Sequence, residues 1–332
     1  MTLLDAGPRS RTAAADGDPR AELLSALKAA GYVFVTPSVS THRRVLRRPE
    51  MSEARSLRDV FGWNLPFEPH VLSPRLLDLM ARGGLSRAAG DSLCSAVRVS
   101  LLGDDLFLHS AFPTDAPDAV FFGPDTYRFA NFLRDALRDA PASGVVVDIG
   151  TGSGVGGIVA ARCGDPSRLI LADINPTALG FAAVNLQAAR LAGEVIESDG
   201  LSGVEGCADL IVANPPFIAG SGGRTYRDGG DLHGCRLSLE WALAAVKRLN
   251  PGGRLLLYTG SAIVDGADPF RAALESQLAG QPVEIGYREL DPDIFGGMLS
   301  APAYADVERI AAVGVCIARP SPPSAETWQK LT

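Results

Sequence analysis

The sequence predicts an α/β protein, with a doubly wound, largely parallel sheet of seven strands behind a smaller, mainly helical N-terminal domain. Two observations lead there. From Gly144 onward, short continuously apolar runs alternate with helical segments, the pattern of strands buried on both faces. Before residue 115 the apolar residues recur instead at three- and four-residue spacing.

In the N-terminal part, Leu23, Leu24 and Leu27 mark a helix over 21–30 that Gly31 stops. Residues 51–61, led by Pro49 and Glu50, and residues 74–82 read as two further helices. The runs 96–102 and 106–111 flank Gly103, Asp104 and Asp105 and predict a β-hairpin closing the domain. The boundary is expected near residue 115, between Pro113 and Pro117, giving domains over 1–115 and 116–320 and a flexible tail over 321–332. The seven strands are expected at 145–150, 168–174, 194–200, 208–217, 254–260, 283–290 and 308–320. No convincing helix separates the last two, which suits an antiparallel pair at the sheet edge.

Composition narrows the function. With 332 residues, 46% hydrophobic and 21% charged, the chain can bury a large core. It has no signal-peptide pattern and no apolar run near the about 18 residues of a membrane span, so a cytoplasmic protein without membrane partners is expected. The five cysteines are scattered, without a C-x-x-C pair, and read as reduced thiols. The four histidines lie in no nucleophile motif and are read as structural or surface residues; no metal site is expected. Net charge is −7, divided as +1 over residues 1–115 (14 basic against 13 acidic) and −8 over the rest (17 against 25). That is no general nucleic-acid signature. The exception is Arg43, Arg44, Arg47 and Arg48, four arginines in six residues, able to hold a phosphate backbone or to form a merely solvated face.

The stretch from Val147 through Asp148, Gly150, Thr151, Gly152 and Gly154 follows a buried strand and opens a helix, where open α/β sheets bind ligands. Glycines there let backbone N–H groups approach a ligand closely. A shifted G-x-G-x-x-G is present, but Val155 occupies the place of the third glycine of a dinucleotide fingerprint. The distinguishing residue is Asp148, two before the first glycine. A carboxylate there suits a cofactor carrying a sulfonium and an ammonium group and repels a pyrophosphate. Asp173 ends the second strand, beside Ile174 and Asn175, and is placed to accept ribose hydroxyls. Asp199, followed by Gly200, ends the third and is placed to accept from an adenine amino group.

The fourth strand runs into Asn214, Pro215, Pro216 and Phe217. Two prolines fix φ and remove two donors, so the Asn214 side chain and the neighbouring carbonyl are held rigidly. An amide or aromatic amine nitrogen is a poor nucleophile, and fixed acceptors for its N–H groups favour the pyramidal geometry of attack. Phe217 would stack on the planar substrate. Attack on a sulfonium methyl group is then a matter of positioning, without a covalent intermediate.

The series D148-x-G-x-G-x-G154, Asp173, Asp199 and N214-P-P-F217 resembles the class I S-adenosylmethionine (SAM) dependent methyltransferases of the small-domain kind. These include rRNA guanine-N2, release-factor glutamine-N5 and adenine-N6 enzymes. The resemblance covers roughly residues 115–320 and implies a Rossmann-like sheet and SAM as cofactor. It assigns Asp148 and the glycine turn to the methionine moiety, Asp173 to the ribose, Asp199 to the adenine and the tetrapeptide to the target nitrogen. Residues 123–127 resemble the family's motif before the first strand, which brings Thr126 to the cofactor. Glutamine enzymes usually carry Tyr where Phe217 stands, so a nucleic-acid base and a protein glutamine, as in a release or ribosomal factor, both stay open as acceptors. The stretch 220–234 is read as a glycine-rich lid carrying Arg224, Tyr226 and Arg227 over the substrate. Two alternatives are a nicotinamide-dependent oxidoreductase, which leaves the tetrapeptide unexplained, and a SAM-binding module without catalysis.

Overall fold

The computed structural model describes residues 17–219 and 229–321. Seven strands form one sheet: β5 (Ala142–Ile149), β6 (Gly164–Asp173), β7 (Glu194–Glu197), β8 (Ala208–Ala213), β9 (Leu249–Ile263), β10 (Glu284–Asp291) and β11 (Arg309–Ala318). Their spatial order is β10-β11-β9-β8-β5-β6-β7. Strands β5 to β9 pair in parallel, whereas β11 runs antiparallel to both β9 and β10. The final pair is therefore antiparallel as expected, but β11 inserts beside β9 and leaves β10 at the edge. Short 3-10 turns, Gly296–Ser300 and Pro302–Tyr304, join them.

Strand period two divides the apolar residues between two faces. Val146, Leu169, Leu171, Leu210 and Val212 point to one face, covered by α5 (Pro124–Leu137), α6 (Val155–Arg162) and α7 (Pro176–Ala188). Val147, Ile149, Ile170, Ile211 and Ala213 point to the other, covered by α8 (Arg236–Val246) and α9 (Pro269–Leu278). Both faces being covered explains why these strands read as unbroken apolar runs.

Residues 17–110 build a third cluster, which α1 (Pro19–Ala29) anchors through Leu23, Leu24 and Leu27. Asp18 caps α1 by accepting from the Arg20 backbone N–H, and Gly31, at φ 70°, takes the left-handed turn beyond its end. Helix α4 (Pro74–Arg82) begins behind Ser73, whose hydroxyl caps it. The expected hairpin is β3 (Val97–Leu102) with β4 (Asp105–Ser110), and Val184 of α7 joins this cluster.

The structure departs from the sequence reading at three places here. The helix expected over 51–61 is broken into a 3-10 turn, Pro49–Met51, and one short helix, α3 (Leu57–Phe61). Between them the Ala54 N–H donates to the Pro66 carbonyl rather than into a helix, and Ser56 starts α3 afresh as its cap. A further hairpin, β1 (Ser86–Ala89) with β2 (Ser92–Ser95), adds strand to a part read as helical. The arginine cluster begins on a helix that the sequence reading did not single out, α2 (Val39–Leu46), capped by Ser38 and pinned by buried His42, with Arg47 and Arg48 following its end.

Candidate functional site

One cavity of about 1030 Å³ opens at the carboxyl ends of β5, β6, β7 and β8. The turn after β5 forms its floor. Gly150, Gly152 and Gly154 take φ of 61°, 55° and 85°, a left-handed run that residues with a Cβ adopt only at a cost of roughly 1–2 kcal/mol each. Gly150 has a second reason to lack a side chain, since a Cβ there would lie 2.6 Å from the Trp241 ring.

The acidic residues build this turn. Asp148 is only 2% exposed, and its Oδ2 accepts from the Thr151 hydroxyl at 2.5 Å and from the Gly157 N–H at 2.8 Å. Burial pushes its carboxyl up to about 7, against the pull of those two bonds and with a smaller push from Asp173. Asp173 accepts from the Gly152 N–H at 2.9 Å with one oxygen and from the Asn175 N–H at 2.9 Å with the other. Burial raises its pKa too. Each carboxylate thus shapes the loop as well as lining the cavity, a duty that sequence spacing alone does not reveal. Asp199 is exposed and makes no side-chain hydrogen bond among the described residues, so its oxygens are available to a ligand.

Asn175 caps α7, accepting from the Thr177 N–H, and donates to the Asp118 carbonyl at 2.8 Å. Thr126 accepts from the Gly123 N–H at the start of α5. Ile174 is 51% exposed on the cavity wall, an apolar surface that a planar ring or sugar would cover.

Past β8, Pro215 is buried, and Asn214 Oδ1 is a buried acceptor with no hydrogen-bond partner among the described residues. An acceptor in that condition costs about 1–3 kcal/mol and calls for a donor. Phe217 sits in an aromatic corner: its ring meets Tyr258 edge-on at 6.4 Å and Phe295 at 5.7 Å, and only a glycine fits at 260 beside it. The Tyr258 hydroxyl in turn donates to buried Asp125 at 2.9 Å.

Thr126, Asp148, Gly150, Thr151, Gly152, Asp173, Ile174, Asn175, Asp199, Gly200 and the tetrapeptide Asn214, Pro215, Pro216 and Phe217 all line this one cavity. Gly154 does not; it starts α6 and packs against Ala182. Arg224, Tyr226 and Arg227 lie outside the described residues. The sequence reading missed Trp241, whose ring lies under both Gly150 and Gly200 and whose place in a helical apolar stripe reads as plain core. It also missed Phe295, held at φ 54°, and the first turns of α2.

Residues 119–263 match the family model of the methyltransferase small domain. The ribosomal RNA small subunit methyltransferase C of Actinobacillus succinogenes is 43% identical over 89 residues, 27% of this chain and 26% of that protein. Its namesake in Mannheimia succiniciproducens is 33% identical over 151 residues, 46% of this chain and 39% of that one. The matched segments thus span well under half the length of these relatives. A solved SAM-dependent methyltransferase from Agrobacterium tumefaciens aligns at 16% identity with a TM-score of 0.43, over 71% of this chain and 72% of that chain. The stretch from Ala119 to Ile263 that matches the methyltransferase small domain model holds the glycine turn, the three aspartates and the Asn214 tetrapeptide.

Proposed function

We propose that the chain is a SAM-dependent N-methyltransferase acting on a planar nitrogen. The observation that carries this reading is the partnerless, buried Asn214 Oδ1 at the edge of a cavity whose floor is the glycine turn and whose near wall holds acidic residues. Asp173 and Asp199 would hold the ribose and adenine, Gly200 and Trp241 would flank the adenine, and Asp148 with the turn would hold the methionine end. The cavity's size, at the top of the about 300–1,000 Å³ of a single small-molecule site, leaves room for an acceptor beside the cofactor. Bound there, SAM supplies an electrophilic methyl group on a cationic sulfur.

The chain's own task is then to position and desolvate the acceptor. Asn214 Oδ1 accepts a hydrogen bond from the acceptor's N–H, turning its lone pair out of conjugation, and the Pro215 carbonyl is a second acceptor. Phe217, braced by Tyr258 and Phe295, offers an aromatic surface for a planar ring. The relatives act on ribosomal RNA by name, which favours a nucleic-acid base over a glutamine amide. The segment before residue 115 lies outside the family match, and we assign substrate recognition to it.

Calorimetry tests the cofactor: SAM and S-adenosylhomocysteine should bind, NAD should not, and Asp173→Ala should abolish binding. Asn214→Ala should bind SAM normally yet lose methyl transfer by about 100-fold or more, the scale for removing one such polar contact. An undiminished transfer rate would remove Asn214 from this role.

A further inference from the structure

Residues 38–48 contain four arginines and no acidic residue, in a chain of net charge −7. Arg43 and Arg44 lie in α2, and Arg47 and Arg48 directly follow it. All four are exposed, and none forms an ion pair or a side-chain hydrogen bond among the described residues. Other exposed arginines divide: Arg82, Arg138, Arg236 and Arg271 each pair with a carboxylate, whereas Arg55, Arg58, Arg75, Arg87 and Arg190 do not, and what sets residues 43–48 apart is four unpaired guanidinium groups within six positions.

A fifth positive charge sits underneath. Arg98 is 3% exposed and faces no carboxylate; it donates to the Gly62 carbonyl at 3.0 Å, contacts His42 Nδ1 at 3.3 Å and lies over the Phe34 ring. Burial lowers its pKa to about 10, which leaves it charged at neutral pH. The His42 ring packs at 4.0 Å on Phe112. Phe112, Ser38, Ser40 and Arg43 border the same cavity as Asn214 and Phe217. The positive field therefore begins at the cavity mouth and runs away from it along α2.

We infer that α2 is the docking surface for a nucleic-acid strand, whose phosphates lie along Arg43, Arg44, Arg47 and Arg48 while the target base enters the cavity. Guanidinium forks pair with phosphate oxygens in a bidentate manner, and a local basic patch on an acidic protein concentrates a polyanion at one place. This rests on reading the cavity as a methyl-transfer site, and it adds the surface that holds the strand whose base that reading favours.

The test is fluorescence anisotropy of the full chain with labelled single-stranded RNA and DNA oligonucleotides between 50 and 200 mM salt. Four phosphate contacts give a log–log slope of about −2.8, a roughly 50-fold loss of affinity over that range. The double variant Arg44→Ala/Arg47→Ala should halve the slope to about −1.4, a roughly 7-fold loss. Arg44→Lys/Arg47→Lys should largely restore it, and Arg271→Ala, on α9 and paired with Glu275, should leave it unchanged. An unaltered slope in the double variant overturns the inference. So does arginine-dependent binding of a polyglutamate peptide with none of either oligonucleotide. SAM calorimetry on the same variants separates the two readings: intact SAM binding without oligonucleotide binding removes the role of α2 alone, whereas absent SAM binding in the unmodified chain strikes the proposed function.

Discussion

Asp148→Asn should make the ligand-free protein more stable at pH 8 while weakening its hold on SAM. Asp148 is fully enclosed, and its carboxyl is pushed up to about 7 from an ordinary 3.8. A carboxyl whose folded pKa is raised binds its proton more tightly in the folded state, so stability falls as pH rises from 3.8 towards 7 and is flat above. The interval corresponds to about 4 kcal/mol at 1.36 kcal/mol per pH unit, more than half of which is lost between pH 5 and pH 8. Asparagine keeps the shape and an acceptor oxygen for the Thr151 hydroxyl and the Gly157 N–H, but it has no charge to desolvate. Urea unfolding of both proteins at pH 5, 6.5 and 8, without ligand, measures the difference. The variant's advantage should grow by roughly 2–3 kcal/mol from pH 5 to pH 8. A cationic ligand favours the ionised carboxylate, so SAM affinity in the unmodified protein should fall as pH drops below about 7, and in the variant that dependence should flatten. A constant gap between the two unfolding curves across pH would refute this reasoning, because Asp148 would then not be a carboxylate ionised against burial.

Two other perturbations probe the scaffold of the site. Asn185 is 1% exposed, accepts from the Leu108 N–H at 2.7 Å, and donates to the carbonyls of Leu108 at 2.9 Å and Ser153 at 2.8 Å. Asn185→Leu leaves those three backbone groups unpaired and should cost about 3 kcal/mol in urea unfolding; a loss below about 1 kcal/mol would mean that water replaces the amide. Gly150→Ala should weaken SAM binding at least tenfold, since its Cβ meets Trp241 at 2.6 Å on a left-handed backbone. Gly206→Ala is the matched control, with φ 77° and nothing within 4 Å, and should lower stability by about 1 kcal/mol without changing SAM affinity. Equal effects on affinity would show that backbone strain, not the ring beneath the turn, governs the site.

What sequence could and could not reveal follows from the range of the forces involved. The seven strands were legible because burial on both faces writes a continuous apolar run into each, as in β5 and β8. The strand-end aspartates and the Asn214 tetrapeptide were legible because a sheet edge places consecutive strand ends together whatever the helices do. Residues whose roles depend on distant contacts were not. Trp241 sits among Leu239, Ala242 and Ala245, so its spacing speaks only of core, although its ring supports two turn glycines from 91 and 41 positions away. The split of 51–61 rests on the Ala54 bond to Pro66, a tertiary choice over an adequate helical pattern. The arginines of α2 show both sides of this divide. Their charge is plain in the chain, but its meaning waits on the fold, which seats His42 against Phe112 and so turns the first arginine to the mouth of a cavity built by residues more than a hundred positions later. A charge run of that kind becomes an argument about substrate only when the fold shows what it borders. Asn185 makes the same point for stability, since one buried amide joins β4, α7 and the glycine turn and leaves no periodic trace in the sequence.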